Sequence, residues 1–181
     1  MWEAKTESLN LALGDTFKVI VPGTLLGVLR SIHRKLPHVE FGLYAKATID
    51  YSTKTAIVSD GFYIPKQNVT SVNISFEEDI PDSSFNVVIH KHPDGVSSFS
   101  NTDWEDINKK FPISLLYEGG QIVDASMRFV THDDLVILIK PRVIVDYNID
   151  VEIEDEELDS KIRINEPIFN QGVQRWFKSL K

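Results

Sequence analysis

The chain has 181 residues, 42% of them hydrophobic and 25% charged, a balance that suits one folded domain with a full core and excludes a disordered chain. Its formal charge of −8, with no concentration of Lys and Arg, argues against nucleic acid as a main partner. The absence of cysteine excludes disulfides, thiolate metal sites and a Cys nucleophile, so any metal must be held by His and carboxylates.

Residues 1–15 carry Glu3, Glu7 and Asp15 and lack an apolar run of signal-peptide length, and no window approaches the ~20 apolar residues of a membrane span. The expectation is a cytoplasmic protein with no membrane partner. Residues 17–21 form a short apolar run ended by Pro22 and Gly23, and Leu25, Leu26, Val28, Leu29, Ile32 and Leu36 then recur at helical spacing up to Pro37. That predicts strand, turn, helix. From Val39 to Asp50 the period changes to two, with Val39, Phe41, Leu43, Ala45 and Ala47 on one face and Glu40, Gly42, Tyr44 and Lys46 on the other. A hairpin through Ser52 and Thr53 into residues 54–59 follows.

Residues 61–64 are apolar and stop at Pro65, and residues 69–76 alternate as one strand before the acidic break at Glu77, Glu78 and Asp79. Residues 85–89 are almost all apolar, as a strand buried on both faces requires, and lead straight into His90. A helix is predicted over 102–110, then strands at 113–117, 122–129 and 135–139, with Gly119-Gly120 and His132-Asp133-Asp134 as turns. Residues 1–140 are thus taken as the main domain and 141–181 as a β/α extension packed on it. That extension is expected to hold a strand or two running into 154–159 and a terminal helix over 168–180. The fold class expected from this order is α/β, a mixed sheet flanked by helices.

The chemistry is concentrated between His90 and Asp103. In His90-Lys91-His92 the imidazoles are two residues apart on a strand, so both leave one face with Cβ atoms ~7 Å apart and can converge on one ion. Pro93 ends the strand, and a loop leads to Ser100-Asn101-Thr102-Asp103 at a helix start. Two His and one Asp match the usual ligand count of a hydrolytic zinc site, which keeps a fourth position for water. By itself Ser100-x-x-Asp103 reads as a helix-capping arrangement, and a lone His-x-His reads as surface. A cap that fixes the helix start also aims Asp103 at the histidines, so the two readings are compatible.

His90-Lys91-His92-Pro93, the loop through Phe99, and then Ser100-Asn101-Thr102-Asp103 together resemble the JAMM/MPN metallopeptidase signature. The resemblance extends over about residues 17–130, including the strand that opens with Glu40 and the Ile64-Pro65-Lys66-Gln67 element. It implies a cytidine-deaminase-like three-layer fold and a zinc ion held by His90, His92 and Asp103. It further implies Glu40 as general base and proton shuttle, and Ser100 as support for the oxyanion. The substrates it implies are peptides or ubiquitin-like protein conjugates cleaved at an isopeptide bond. A second glycine usual after Gly42 in that family is replaced around Ala45-Lys46. Two alternatives stay open: a RadC-like protein, whose motif shares the His-x-His-Pro form, and a non-catalytic MPN scaffold. Residues 141–181 are open to a role as a homodimer interface, a substrate platform or an extra layer.

Other residues read as structure. His33 and His38 lie on and just after the first helix, the glycosylation patterns at Asn68 and Asn73 carry no meaning in a cytoplasmic protein, and the acidic run 152–159 is a solvated face able to attract a basic partner.

Overall fold

A computed structural model describes residues 16–146 and 153–165. The chain runs β1 (Lys18–Pro22), α1 (Gly23–Lys35), β2 (Phe41–Asp50), β3 (Thr55–Tyr63), β4 (Gln67–Val69), β5 (Ile74–Phe76), β6 (Phe85–Lys91), α2 (Asn101–Glu105), α3 (Ile107–Lys110), β7 (Ile113–Glu118), β8 (Gln121–Val130), β9 (Val136–Ile139), β10 (Arg142–Asp146), α4 (Asp155–Lys161) and β11 (Ile162–Ile164). Eight strands form one mixed sheet in the order β10-β1-β3-β2-β6-β7-β8-β9, and three form a small sheet in the order β11-β4-β5. The α/β class and the mixed sheet are as the sequence order predicts.

Period-two alternation decides which way each side chain of β2 and β6 points. Phe41, Leu43 and Ala45 of β2, with Val87 and Ile89 of β6, join Leu25, Leu26, Leu29 and Ile32 of α1 in the main core. The opposite face carries Tyr44 and Val88, which form a second cluster with Phe111 and are flanked by Phe76 and Ile107. Both faces of β6 are therefore covered, which is why residues 87–89 are all apolar before His90. Among the described residues no helix is long and apolar enough to cross a membrane.

Four expectations change. Residues 55–63 form one strand through Gly61, where two segments were expected. The single strand expected over 69–76 is instead the hairpin β4–β5: Thr70 N donates to Asn73 O at 2.9 Å, and Val72 N bonds Thr70 Oγ1 at 3.2 Å, closing a turn inside the alternating run. The helix expected over 102–110 breaks at Asp106, whose φ of −114° and ψ of −73° separate α2 from α3. Strand expected around 154–159 is helix α4, whose first-turn acids Asp155, Glu156 and Glu157 suit the positive end of a helix dipole.

The described part of 141–165 is built into both sheets. β10 pairs in parallel with β1, β11 pairs in parallel with β4, and Ile153 N donates to Ser31 Oγ of α1 at 3.1 Å. The terminal helix expected over 168–180 lies outside the described residues.

Candidate metal centre

β6 sits centrally in the sheet, antiparallel to β2 and parallel to β7. Gly42 of β2 is the register partner of His90, and Phe41 that of Lys91. Glu40 and His92 each lie one residue beyond that pairing, on the face of Gly42 and His90 by period two, and Glu40 feels the charge of His92. The paired ends of two neighbouring strands thus bring the expected base near two of the expected ligands without any long loop.

The third ligand arrives on α2. Ser100 is the N-cap: its Oγ accepts from Asp103 N at 3.2 Å, and Ser100 N donates back to Asp103 Oδ2 at 2.7 Å, a closed capping box. Ser100 Oγ also donates to Asp103 Oδ2 at 2.6 Å. Cap and ligand readings are both realised, because the cap orients the carboxylate. Asp103 Oδ1 lies 3.2 Å from His90 Nε2, Asp103 Oδ2 lies 3.0 Å from His92 Nε2, and the two Nε2 atoms are 3.1 Å apart.

These separations test the fit of an ion. A tetrahedral zinc with bonds of 2.0–2.1 Å holds its ligand atoms about 3.3 Å apart, close to the 3.1 Å between the two Nε2 atoms, and each imidazole also has one Asp103 oxygen within 3.2 Å. The donor set is also of the right chemistry, two imidazoles and a carboxylate, all buried and within 4.8 Å of one another. A group able to bind a metal ion is therefore present at His90, His92 and Asp103.

Neighbours set the electrostatics. Burial pushes the His90 imidazole down, towards the neutral form a metal requires, against the opposing hydrogen bond and charge of Asp103. For Asp103, burial acts upward but is outweighed by hydrogen bonds from His90 and His92, which hold its carboxyl well below the usual range. His92 is pushed up: burial lowers it, and the Asp103 hydrogen bond with the charges of Asp103 and Glu40 more than reverses that. Glu40 is half-buried and its carboxyl is raised, first by burial, with His92 opposing and Asp103 adding to the rise. Its coupling to His92 and Asp103 places it in the same electrostatic site.

Some supporting residues were not singled out by the sequence. Phe99 stacks a tilted ring 5.7 Å from His90, and Trp104 packs edge-on against Phe99 at 5.4 Å. Glu40 N donates to Thr70 O at 2.9 Å, tying the base to the tip of the β4–β5 hairpin. His90 Nδ1 is buried and has no hydrogen-bond partner among the described residues. His33, read as structural, hydrogen-bonds through Nδ1 with the Tyr117 hydroxyl at 3.2 Å on the α1 side of the sheet. His38 lies there too, 3.8 Å from Asp94, and neither joins the metal group.

No known family profile matches this chain, and no curated protein matches it.

Proposed function

We propose that this protein is a zinc-dependent peptidase or isopeptidase of the JAMM/MPN type, acting on peptides or ubiquitin-like protein conjugates, with a cytidine-deaminase-like fold around the site. The observation that carries this reading is the buried His90, His92 and Asp103 group, with Glu40, one residue before β2, near enough to feel the charges of His92 and Asp103. When bound, zinc supplies a Lewis acid that lowers the pKa of water towards ~7 and polarises a scissile carbonyl.

The chain's own residues supply the rest. His90, His92 and Asp103 hold the ion, with Asp103 oriented by the Ser100 cap. The Glu40 carboxylate takes a proton from the attacking water and returns it to the leaving amine. Ser100, whose hydroxyl engages Asp103 in the resting arrangement, supports the oxyanion when it turns from that carboxylate. Purified protein is expected to bind about one zinc per chain, the ordinary occupancy of a three-ligand site, and His92→Ala and Asp103→Ala to lose it. Undiminished zinc in those variants removes the site.

A further inference from the structure

Between the two ligand histidines stands a lysine that the proposed chemistry does not use. Lys91 is completely buried. Because it alternates with His90 and His92, its side chain leaves the opposite face of β6, on the side of His33 and Tyr117. Its Nζ donates to the carbonyl oxygen of His92 at 3.0 Å and to Asp94 Oδ1 at 3.0 Å.

The backbone around it explains why that contact matters. Ladder pairing of β6 ends at Lys91 on both sides, with Phe41 of β2 and Tyr117 of β7 as the last partners. His92 is one residue past both ladders, and Pro93 has no N–H to continue either. The His92 carbonyl is thus held by a side chain where its predecessors are held by strands. The turn that follows is fixed from the same side: Val96 N bonds Pro93 O at 3.1 Å, and Gly95 N, at a φ of +86° that favours glycine, bonds Glu118 Oε1 at 3.2 Å.

We infer that Lys91 is a positioning residue for the metal centre, whose buried ammonium clamps the His92 carbonyl and the Asp94 carboxylate and thereby fixes His92 as a ligand. This rests on the metal site proposed above. A buried ammonium is costly unless paired and hydrogen-bonded, and Asp94 and the His92 carbonyl meet that need. Coulomb repulsion between this cation and a bound metal makes positioning and charge act in opposite directions. Removing the charge alone tightens metal binding, whereas releasing the His92 backbone weakens it.

The experiment titrates Co2+ and Zn2+ into the full chain and its variants, reading affinity by chelator competition and ligand geometry by the visible absorption of bound Co2+. Lys91→Met is expected to weaken both metals by about 10-fold or more, as loss of a supporting group does, and to change the Co2+ spectrum. Asp94→Ala, at a half-exposed side chain the fold tolerates, is expected to shift both readouts the same way by a smaller factor. Lys91→Met binding as tightly as wild type or tighter, with an unchanged spectrum, overturns the inference alone. Should Lys91→Met not fold, unchanged affinity and spectrum in Asp94→Ala overturn it. Wild-type protein that takes up neither metal removes the metal site and the inference together.

Discussion

Gln67 hydrogen-bonds both backbone groups of Gly42: its Oε1 accepts from Gly42 N at 2.9 Å and its Nε2 donates to Gly42 O at 2.9 Å. A side chain at the start of β4 thereby takes the place of a neighbouring strand along the edge of β2, two residues from Glu40. The same amide reaches Pro65 O at 3.2 Å, so all its buried polar capacity is directed at backbone. Gln67→Leu leaves the Gly42 N–H and C=O buried without this partner and is expected to cost on the order of 3 kcal/mol. Denaturant unfolding measures it. A loss under about 0.5 kcal/mol, the range of an indifferent surface site, contradicts the role.

Gly42 itself makes room for an aromatic ring. A Cβ at this position stands 2.6 Å from Cζ of Phe76 and 3.0 Å from its Cε1, so the ring of β5 lies against the bare backbone beside His90. Gly42→Ala is expected to destabilise by about 1–3 kcal/mol through overpacking. Combining it with Phe76→Leu is expected to recover part of that loss. Additive losses in the double variant contradict the contact, since residues in contact couple.

Much of this site is written locally. The alternation of β2 and the largely apolar run of β6 put His90 on a strand and Glu40 and His92 one residue beyond strand ends, and Ser100 with Asp103 announces a helix start that the capping box realises. Register was not legible: that Gly42 meets His90, which brings Glu40 towards the histidines, depends on pairing strands across a separation of 48 positions. Nor was the Gln67–Gly42 contact, because nothing in a Gln after Pro65 and Lys66 names a partner 25 residues back. The β4–β5 turn was hidden because Val69 to Phe76 keeps period-two alternation through a hairpin. Lys91 carried a readable signal, a cation inside an apolar strand between two histidines, but burial alone shows that it points into the protein.

Ser100 offers a way to separate cap from chemistry. Ser100→Ala removes one capping partner and a donor to the Asp103 carboxylate, and is expected to cost about 1 kcal/mol of stability, the usual value of an N-cap. Hydrolysis is expected to fall by a larger factor than zinc content. Zinc content falling as far as the rate, measured on the same preparations, assigns Ser100 to the cap alone.

The raised Glu40 carboxyl sets a pH signature. In metal-free protein the folded state holds this proton more tightly than the unfolded state. Its contribution to stability is then fully present below the unfolded pKa and lost as pH rises through the folded one. Glu40→Gln is accordingly expected to raise the melting temperature of metal-free protein at pH 7 and to lose that advantage at low pH. An advantage that does not depend on pH contradicts a raised carboxyl.

In the proposed function Glu40 acts on a metal held by His90, His92 and Asp103. Its most direct test incubates zinc-loaded wild type and Glu40→Gln with a panel of isopeptide-linked and linear ubiquitin-like conjugates, with zinc content measured alongside cleavage. Equal zinc in both proteins is expected, with cleavage by wild type and a loss of about 100-fold or more in the variant, as for removal of a general base. Cleavage by Glu40→Gln at the wild-type rate, or zinc-loaded wild type that cleaves none of the panel, contradicts it.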